Sequence, residues 1–186
     1  VAALAGALAA ALAGMVAGLT AGRPKFAAVE NQMQAAASRA RSLRQRLYEL
    51  MAADAEAFDV VMMAYRQPRG TNDEAAARRD AIQAALREAT RLPLEVMKDS
   101  LEVLELARLV ATEGNASAVS DAGVAGHMAH AALRSAALNV EINVMGLRDL
   151  EEGDRLRAAA LTLQRRADDL AEHLDRDVRA RIAGGP

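Results

Sequence analysis

Leu47–Tyr65 reads L-Y-E-L-M-A-A-D-A-E-A-F-D-V-V-M-M-A-Y. Leu47, Leu50, Met51, Phe58, Val61, Met62 and Tyr65 recur at steps of three and four, which predicts one apolar face of a helix. Asp54 fills the vacant place on that face, with Leu50, Met51 and Phe58 as its helical neighbours. A carboxylate on an apolar stripe must be hydrogen-bonded, paired or neutral, because burying a lone charge is costly. Two readings stand at this point. Asp54 is a structural carboxylate satisfied by a partner helix, for instance by an arginine, or it is a proton-transfer group.

Outward from this segment the whole chain reads as helix. No useful length alternates with period two, so no strand is expected. The expected helices cover residues 1–19, about 26–65, 73–91 and, after a kink or restart at Pro93, a stretch with Leu94, Met97, Leu101 and Leu104 on its core face that ends at Glu113-Gly114-Asn115, then 120–147 and 152–182. Ala21-Gly22-Arg23-Pro24 and Gln67–Asn72 break the pattern, and Thr71 or Asn72 can cap the helix that follows. The tail from Gly184 to Pro186 is expected to fray. Long helices and short loops predict a bundle of about five mostly antiparallel helices, one domain over residues 1–186.

Two lines separate on the fourth helix. Val124, Met128, Ala131, Leu138, Ile142 and Met145 form an apolar stripe, read as the core face. Asp121, Ala125, Ala129, Ala132, Ala136, Asn139 and Asn143 form a narrower line of small and polar residues, a close-packed seam or the wall of a cleft. On the last helix Leu156, Leu163, Leu170 and Leu174 mark the core face.

Composition removes several function classes. Hydrophobic residues make up 52% of the 186, too many for a disordered tail. Aromatics are 2% and the net charge is −2, which leaves neither stacking platforms nor a basic footprint for nucleic acid. Without cysteine there is no disulfide, thiolate metal site or cysteine nucleophile, and a cytoplasmic location is expected. Val1–Gly22 carries no charge, so a membrane span competes with a buried helix of a soluble bundle. Its alanine and glycine content favours the buried helix, and no membrane partner is expected.

No metal site is expected. His127 and His130 lack a carboxylate at a ligand offset, no Glu-x-x-His occurs, and His173 stands among acids as a solvated side chain. No phosphate-binding glycine loop occurs either. Gly114–Gly123 holds Asn115 and Asp121, which read as helix caps or as ligands to a polar group at a helix start. Arg23, Lys25, Arg66 and Arg69 lie near helix ends; singly each reads as a solvated helix-end charge, and together they suit a carboxylate-bearing substrate. Arg66 and Lys25 fall at opposite ends of the long helix, so an antiparallel dimer, not one chain, would gather them.

Several stretches in order resemble the formiminotransferase-cyclodeaminase C-terminal family, which includes methenyltetrahydrofolate cyclohydrolases. They are V-A-A-L-A-G-A-L from Val1, D-A-E-A-F from Asp54, A-Y-R-Q-P from Ala64, Gly114-Asn115, S-D-A-G-V-A from Ser120 and R-S-A-A-L-N-V from Arg134. The resemblance implies an all-helical homodimer with active sites at the interface. It also implies a tetrahydrofolate substrate carrying one carbon on N5 or across N5 and N10, and no further cofactor. It puts the catalytic carboxylate at Asp54 and cleft residues at Lys25, Asn115, Asp121 and Asn139, to which the cationic cluster adds Arg66 and the small-residue line adds Asn143. The chain departs from the family at Ser117, where relatives often have Asn, and at the Arg23–Phe26 run. The family's Pro-Gly-Gly-Gly-Ser segment is expected just before Val1. The competing reading is a non-catalytic helical scaffold.

Overall fold

The computed structural model describes residues 1–184; Gly185 and Pro186, part of the tail expected to fray, lie outside the described residues. Five helices carry the architecture: α1 (Ala2–Thr20), α2 (Glu30–Arg66), α3 (Asn72–Glu113), α4 (Val119–Val144) and α5 (Leu150–Ala183). Short 3-10 segments at Pro24–Val29 and Ala116–Ala118 turn the chain into α2 and α4. The helix expected from residue 26 begins in earnest only at Glu30, because Phe26 is not helical (φ −114°, ψ 20°) behind Pro24.

Thr71 caps α3 in a reciprocal capping box with Glu74. Pro93 neither ends this helix nor starts another; α3 runs through it. The helix keeps the turn because packing on both sides holds it: Leu92, Pro93 and Leu94 are all buried. A proline removes the N–H that would bond the carbonyl four residues earlier. That carbonyl is Ala89 O, and it instead accepts a hydrogen bond from Asn143 Nδ2 of α4 at 2.7 Å.

α1 lies between α2 and α4, with α3 behind it, and α5 covers the far side of α3 and α4. Gly6 opposite Leu47 and Gly14 opposite Ala40 set α1 antiparallel to α2. A methyl group on Gly14 would lie 3.1 Å from Ala40 Cβ, so the glycine allows the close approach. α1 is apolar and long enough to cross a membrane, yet its alanine side is buried in the bundle.

The buried line of α2 is Met33, Ala36, Ala40, Leu43, Leu47, Leu50, Ala57 and Ala64, an alternation of three and four with Asp54 and Val61 completing it. This is narrower than the face expected from the sequence. Met51, Phe58 and Tyr65 lie outside it and are exposed. On α5 the buried residues Gly153, Ala160, Ala167 and Leu174 recur every seven, and Leu156, Leu163 and Leu170 pack half-buried beside them.

On α4 the narrow line packs as the seam it was expected to form, and most of the broader apolar stripe turns outward. Ala122, Ala125, Ala129, Ala132 and Ala136 are buried, whereas Leu138, Ile142 and Met145 are 71%, 67% and 73% exposed and Val124 is exposed as well. The stripe expected to be core therefore faces outward. Small side chains let α4 sit close against α1 and α3, and the bulky residues are left on the outer side.

Candidate functional site at the open end of the seam

α1 covers the α2 seam only as far as its own first turn. Beyond that point α2 and α4 face each other across α3, and the seam position there is Asp54. Two cavities open beside it. The first, about 220 Å³, is lined by Asp54, Met51, Asn139 and the first residues of α1 over a floor of Pro93 and Val96. The second, about 320 Å³, has Asp54, Phe58, Asn139, Ile142 and Asn143 around Ala89 of α3. Asp54 and Asn139 are common to both, so a carboxylate and an amide share the mouth of one cleft.

Asp54 is half-buried, with no ion pair within 4.0 Å and no hydrogen bond to another described residue. The arginine that a structural role would require is absent among the described residues. Arg46, two turns earlier on α2, is committed to Asp99 and Glu95 of α3 at 2.7 and 2.5 Å. Asn139 is exposed and also holds no hydrogen bond to a described residue. A carboxylate and an amide left free on an apolar-walled cleft are in place to exchange protons and hydrogen bonds with a bound molecule.

The remaining sequence candidates divide. Asn143 lines the second cavity, but its amide N–H is used on Ala89 O. Its first task is to fasten α4 to α3 at the cleft. Lys25, Asn115 and Asp121 lie towards the opposite end of α1, with no contact between them. Asn115 N–H donates to the buried Thr20 Oγ1 at 2.9 Å, and Asn115 Oδ1 accepts from Ser117 N–H, which makes this residue a cap as well as a candidate. Lys25 is exposed, its Nζ 5.7 Å from the Phe26 ring centre. Asp121 stands half-buried in the first turn of α4, about 27 Å from Asn139 at the helical rise of 1.5 Å per residue. Arg66 is exposed at the end of α2, about 18 Å beyond Asp54 by the same measure. A single chain thus brings together Asp54, Asn139 and Asn143, and leaves Lys25, Asn115 and Asp121 towards the far end of α1.

The histidines belong to neither group. His130 Nε2 lies 2.7 Å from Asp168, which also pairs with Arg134, and exposed His127 lies 3.4 Å from Asp175. Sequence reasoning missed the pair Pro93 and Asn143 and the buried Asp99. A proline inside a helix advertises a free carbonyl four residues before it, and that signal was available. Asp99 is 5% exposed, and burial pushes its carboxyl up while Arg46 pulls it back.

The comparisons with known proteins agree with one another. The family model described as formiminotransferase-cyclodeaminase matches residues 1–162. A methenyltetrahydrofolate cyclohydrolase of Methylorubrum extorquens is 43% identical over 148 residues, 80% of this chain and 71% of that protein. A formimidoyltransferase-cyclodeaminase of Rattus norvegicus is 32% identical over 142 residues, 75% of this chain but 26% of the much longer rat protein. Among solved structures, formiminotetrahydrofolate cyclodeaminase from Thermotoga maritima superposes with a TM-score of 0.79 at 27% identity, covering 98% of this chain and 85% of that one.

Proposed function

The chain belongs to the formiminotransferase-cyclodeaminase family, and from that premise we propose that it opens the N5–C–N10 methenyl bridge of tetrahydrofolate with water. The observation that carries the reading is Asp54, a carboxylate without a protein partner, facing the Asn139 amide across a cleft. The higher identity to the cyclohydrolase favours hydrolysis over ammonia release.

Chemically, water adds to the electron-poor methenyl carbon while Asp54 takes one of its protons. The resulting carbinol is a tetrahedral carbon between two nitrogens. As the C–N5 bond breaks, Asp54 returns its proton to N5, and the hydroxyl proton leaves to solvent. The products are 10-formyltetrahydrofolate and one proton. An ionised Asp54 also offsets the positive charge of the bridging amidinium before attack. Asn139 hydrogen-bonds the attacking water or the pterin edge. In the cyclodeaminase direction the same site would pass a proton to departing ammonia after N10 attacks the formimino carbon, and the likeness to the cyclodeaminase structure supports keeping that second reading.

The site is completed in a homodimer. Leu138, Ile142, Met145, Val124 and Phe58 leave an apolar outer face on α4 and α2. A two-fold pairing of antiparallel α4 helices would bring the end carrying Lys25, Asn115 and Asp121 in one copy towards Asp54 of the other. Lys25 and Arg66 then serve the glutamate carboxylates of the substrate. The cysteine-free composition supports a cytoplasmic setting.

The test follows loss of methenyltetrahydrofolate absorbance. Asp54→Asn is expected to fold normally and to lower turnover by about a hundredfold or more, the usual scale of a lost acid–base group. Near-normal turnover in that variant rules out this role for Asp54. Wild-type protein that turns over neither the methenyl nor the formimino substrate rules out the reaction.

A further inference from the structure

Asn139 and Asn143 stand one turn apart on α4 and both line the second cavity beside Asp54, yet they are not equivalent. Asn139 is exposed and holds no hydrogen bond to a described residue, so its amide can turn either end to a ligand. Asn143 is half-buried, and its Nδ2 donates to Ala89 O at 2.7 Å. That carbonyl is the one from which Pro93, buried inside α3, withholds the helical N–H. No other side chain of the described residues donates to it; the hydroxyl of neighbouring Thr90 goes to Leu86 O at 2.6 Å. A carbonyl only accepts, so an amide placed against it must present its NH2 end. The reverse orientation would set Oδ1 against Ala89 O and leave two acceptors with no proton between them. Asn143 therefore has one orientation. The end turned away from Ala89 is Oδ1, which holds no hydrogen bond to a described residue.

The cleft thus offers three polar side chains of different character. Asp54 is a carboxylate, Asn139 an amide free to rotate, and Asn143 an acceptor fixed by a proline on another helix. A fixed acceptor discriminates. A ligand N–H beside it gains a hydrogen bond, whereas a carbonyl or a methylene in the same place leaves Oδ1 desolvated and unpaired. The reduced pterin ring of a tetrahydrofolate carries such donors, at N8 and along the edge of N3 and the 2-amino group. The N5–C–N10 bridge of the methenyl form carries none, so this acceptor reads the ring and not the reacting carbon.

We infer that Asn143 is a specificity residue whose Oδ1 accepts a pterin N–H, and that Pro93 is the positioning residue that fixes its amide in that sense. This rests on the folate reading of the Asp54 cleft. Pro93 acts through the N–H it lacks, so any residue that restores the N–H should release Asn143, whatever its size.

Two measurements test it. In the first, kcat/KM is compared for methenyltetrahydrofolate, its 8-deaza analogue, which has CH2 in place of N8–H, and its 2-desamino-2-methyl analogue. Wild-type protein is expected to disfavour one of the analogues by roughly tenfold through KM, the scale of one acceptor left unpaired, and that analogue identifies the N–H. Asn143→Ala is expected to bring the ratio near one. Pro93→Ala and Pro93→Val both restore the N–H but differ in volume. They are expected to lower the ratio alike, by roughly threefold or more, and to leave it unchanged in the Asn143→Ala background. A wild-type ratio near one for both analogues, or a ratio unmoved in both Pro93 variants, overturns the proposal. In the second, the Asn143 side-chain NH2 is followed by isotope-edited NMR without substrate. One of its two protons is expected downfield in wild-type protein, as a proton bonded to a carbonyl, and at the position of a solvated amide in the Pro93 variants. A spectrum unchanged between wild type and variants overturns the assignment. This second measurement needs no folate, so a protein that turns over neither substrate would remove the reaction while the orientation of Asn143 is still decided.

Discussion

Asp54 interrupts a seam of methionine, alanine and leucine in which a leucine would pack better. The site therefore opposes stability. Asp54→Leu is expected to raise unfolding free energy by about 1 kcal/mol, from added apolar burial at the cleft mouth, while abolishing turnover. Urea denaturation and the absorbance assay on one preparation check both halves. That a carboxylate stood on a buried line was legible in the sequence. Which line it was on was not, because Met51 and Phe58 are as apolar as Leu50 and Ala57, and periodicity alone does not choose between stripes one residue apart. Asp99 shows the opposite economy. Burial raises its carboxyl above the ordinary value, so the folded chain holds that proton more tightly than the unfolded one. Asp99 therefore gives up stability as pH rises above 3.8. Glu88, Glu95 and Glu102 are held low by Arg91, Lys98 and Arg39, so their contributions are present above 4.5 and are lost on acidification. In thermal melts from pH 7 to pH 3, Glu102→Gln is expected to flatten the acid limb and Asp99→Asn to steepen it.

At the scale of elements, the joint between α3 and α4 carries the cleft. Pro93 frees the Ala89 carbonyl, and Asn143 takes it. The two residues should couple. Asn143→Ala is expected to cost about 1–2 kcal/mol in the wild-type background, because a buried carbonyl loses its donor. In Pro93→Ala the new N–H returns to that carbonyl, and the same change should cost clearly less. A double-mutant cycle read by chemical denaturation gives the difference, and simple additivity would mean that the two residues act independently. Helix α4 marks the limit of reading elements from sequence. Its large apolar residues were assigned inward because size was taken for burial, yet alanines approach a neighbouring backbone more closely and so take the interior. Nothing within one chain says that the large residues are waiting for another surface. The five helices, their antiparallel order and their turns were legible, since capping and breaking residues act locally.

For the molecule as a whole, the outward apolar face of α4 is the feature that one chain leaves unused. A pair of copies joined through it would gather the two groups of polar residues that a single bundle holds at opposite ends of α1. Leu138→Glu, at a residue 71% exposed and outside the Asp54 cavities, is therefore expected to leave the fold intact and to yield monomers by analytical ultracentrifugation. Turnover should fall together with the dimer. A monomeric variant with full turnover would place every needed residue in one chain. The sequence did not separate these cases, because Asp54 and Asp121 are assigned to a common site only by resemblance, and their distance follows from the lengths of α1 and α4.

The central place of α1 also bears on how the chain is made. Ala13 packs with Ala125, more than a hundred residues later in synthesis. Until α4 has left the ribosome, the side of α1 that packs on α4 is open to water together with its exposed leucines. A nascent helix apolar enough to cross a bilayer is then open to premature association and to the machinery that sorts membrane segments. The alanines and glycines that let α1 fit between α2 and α4 also lower its affinity for such captors. The small side chains that close the finished bundle thus protect the unfinished one during the interval before its last partner arrives.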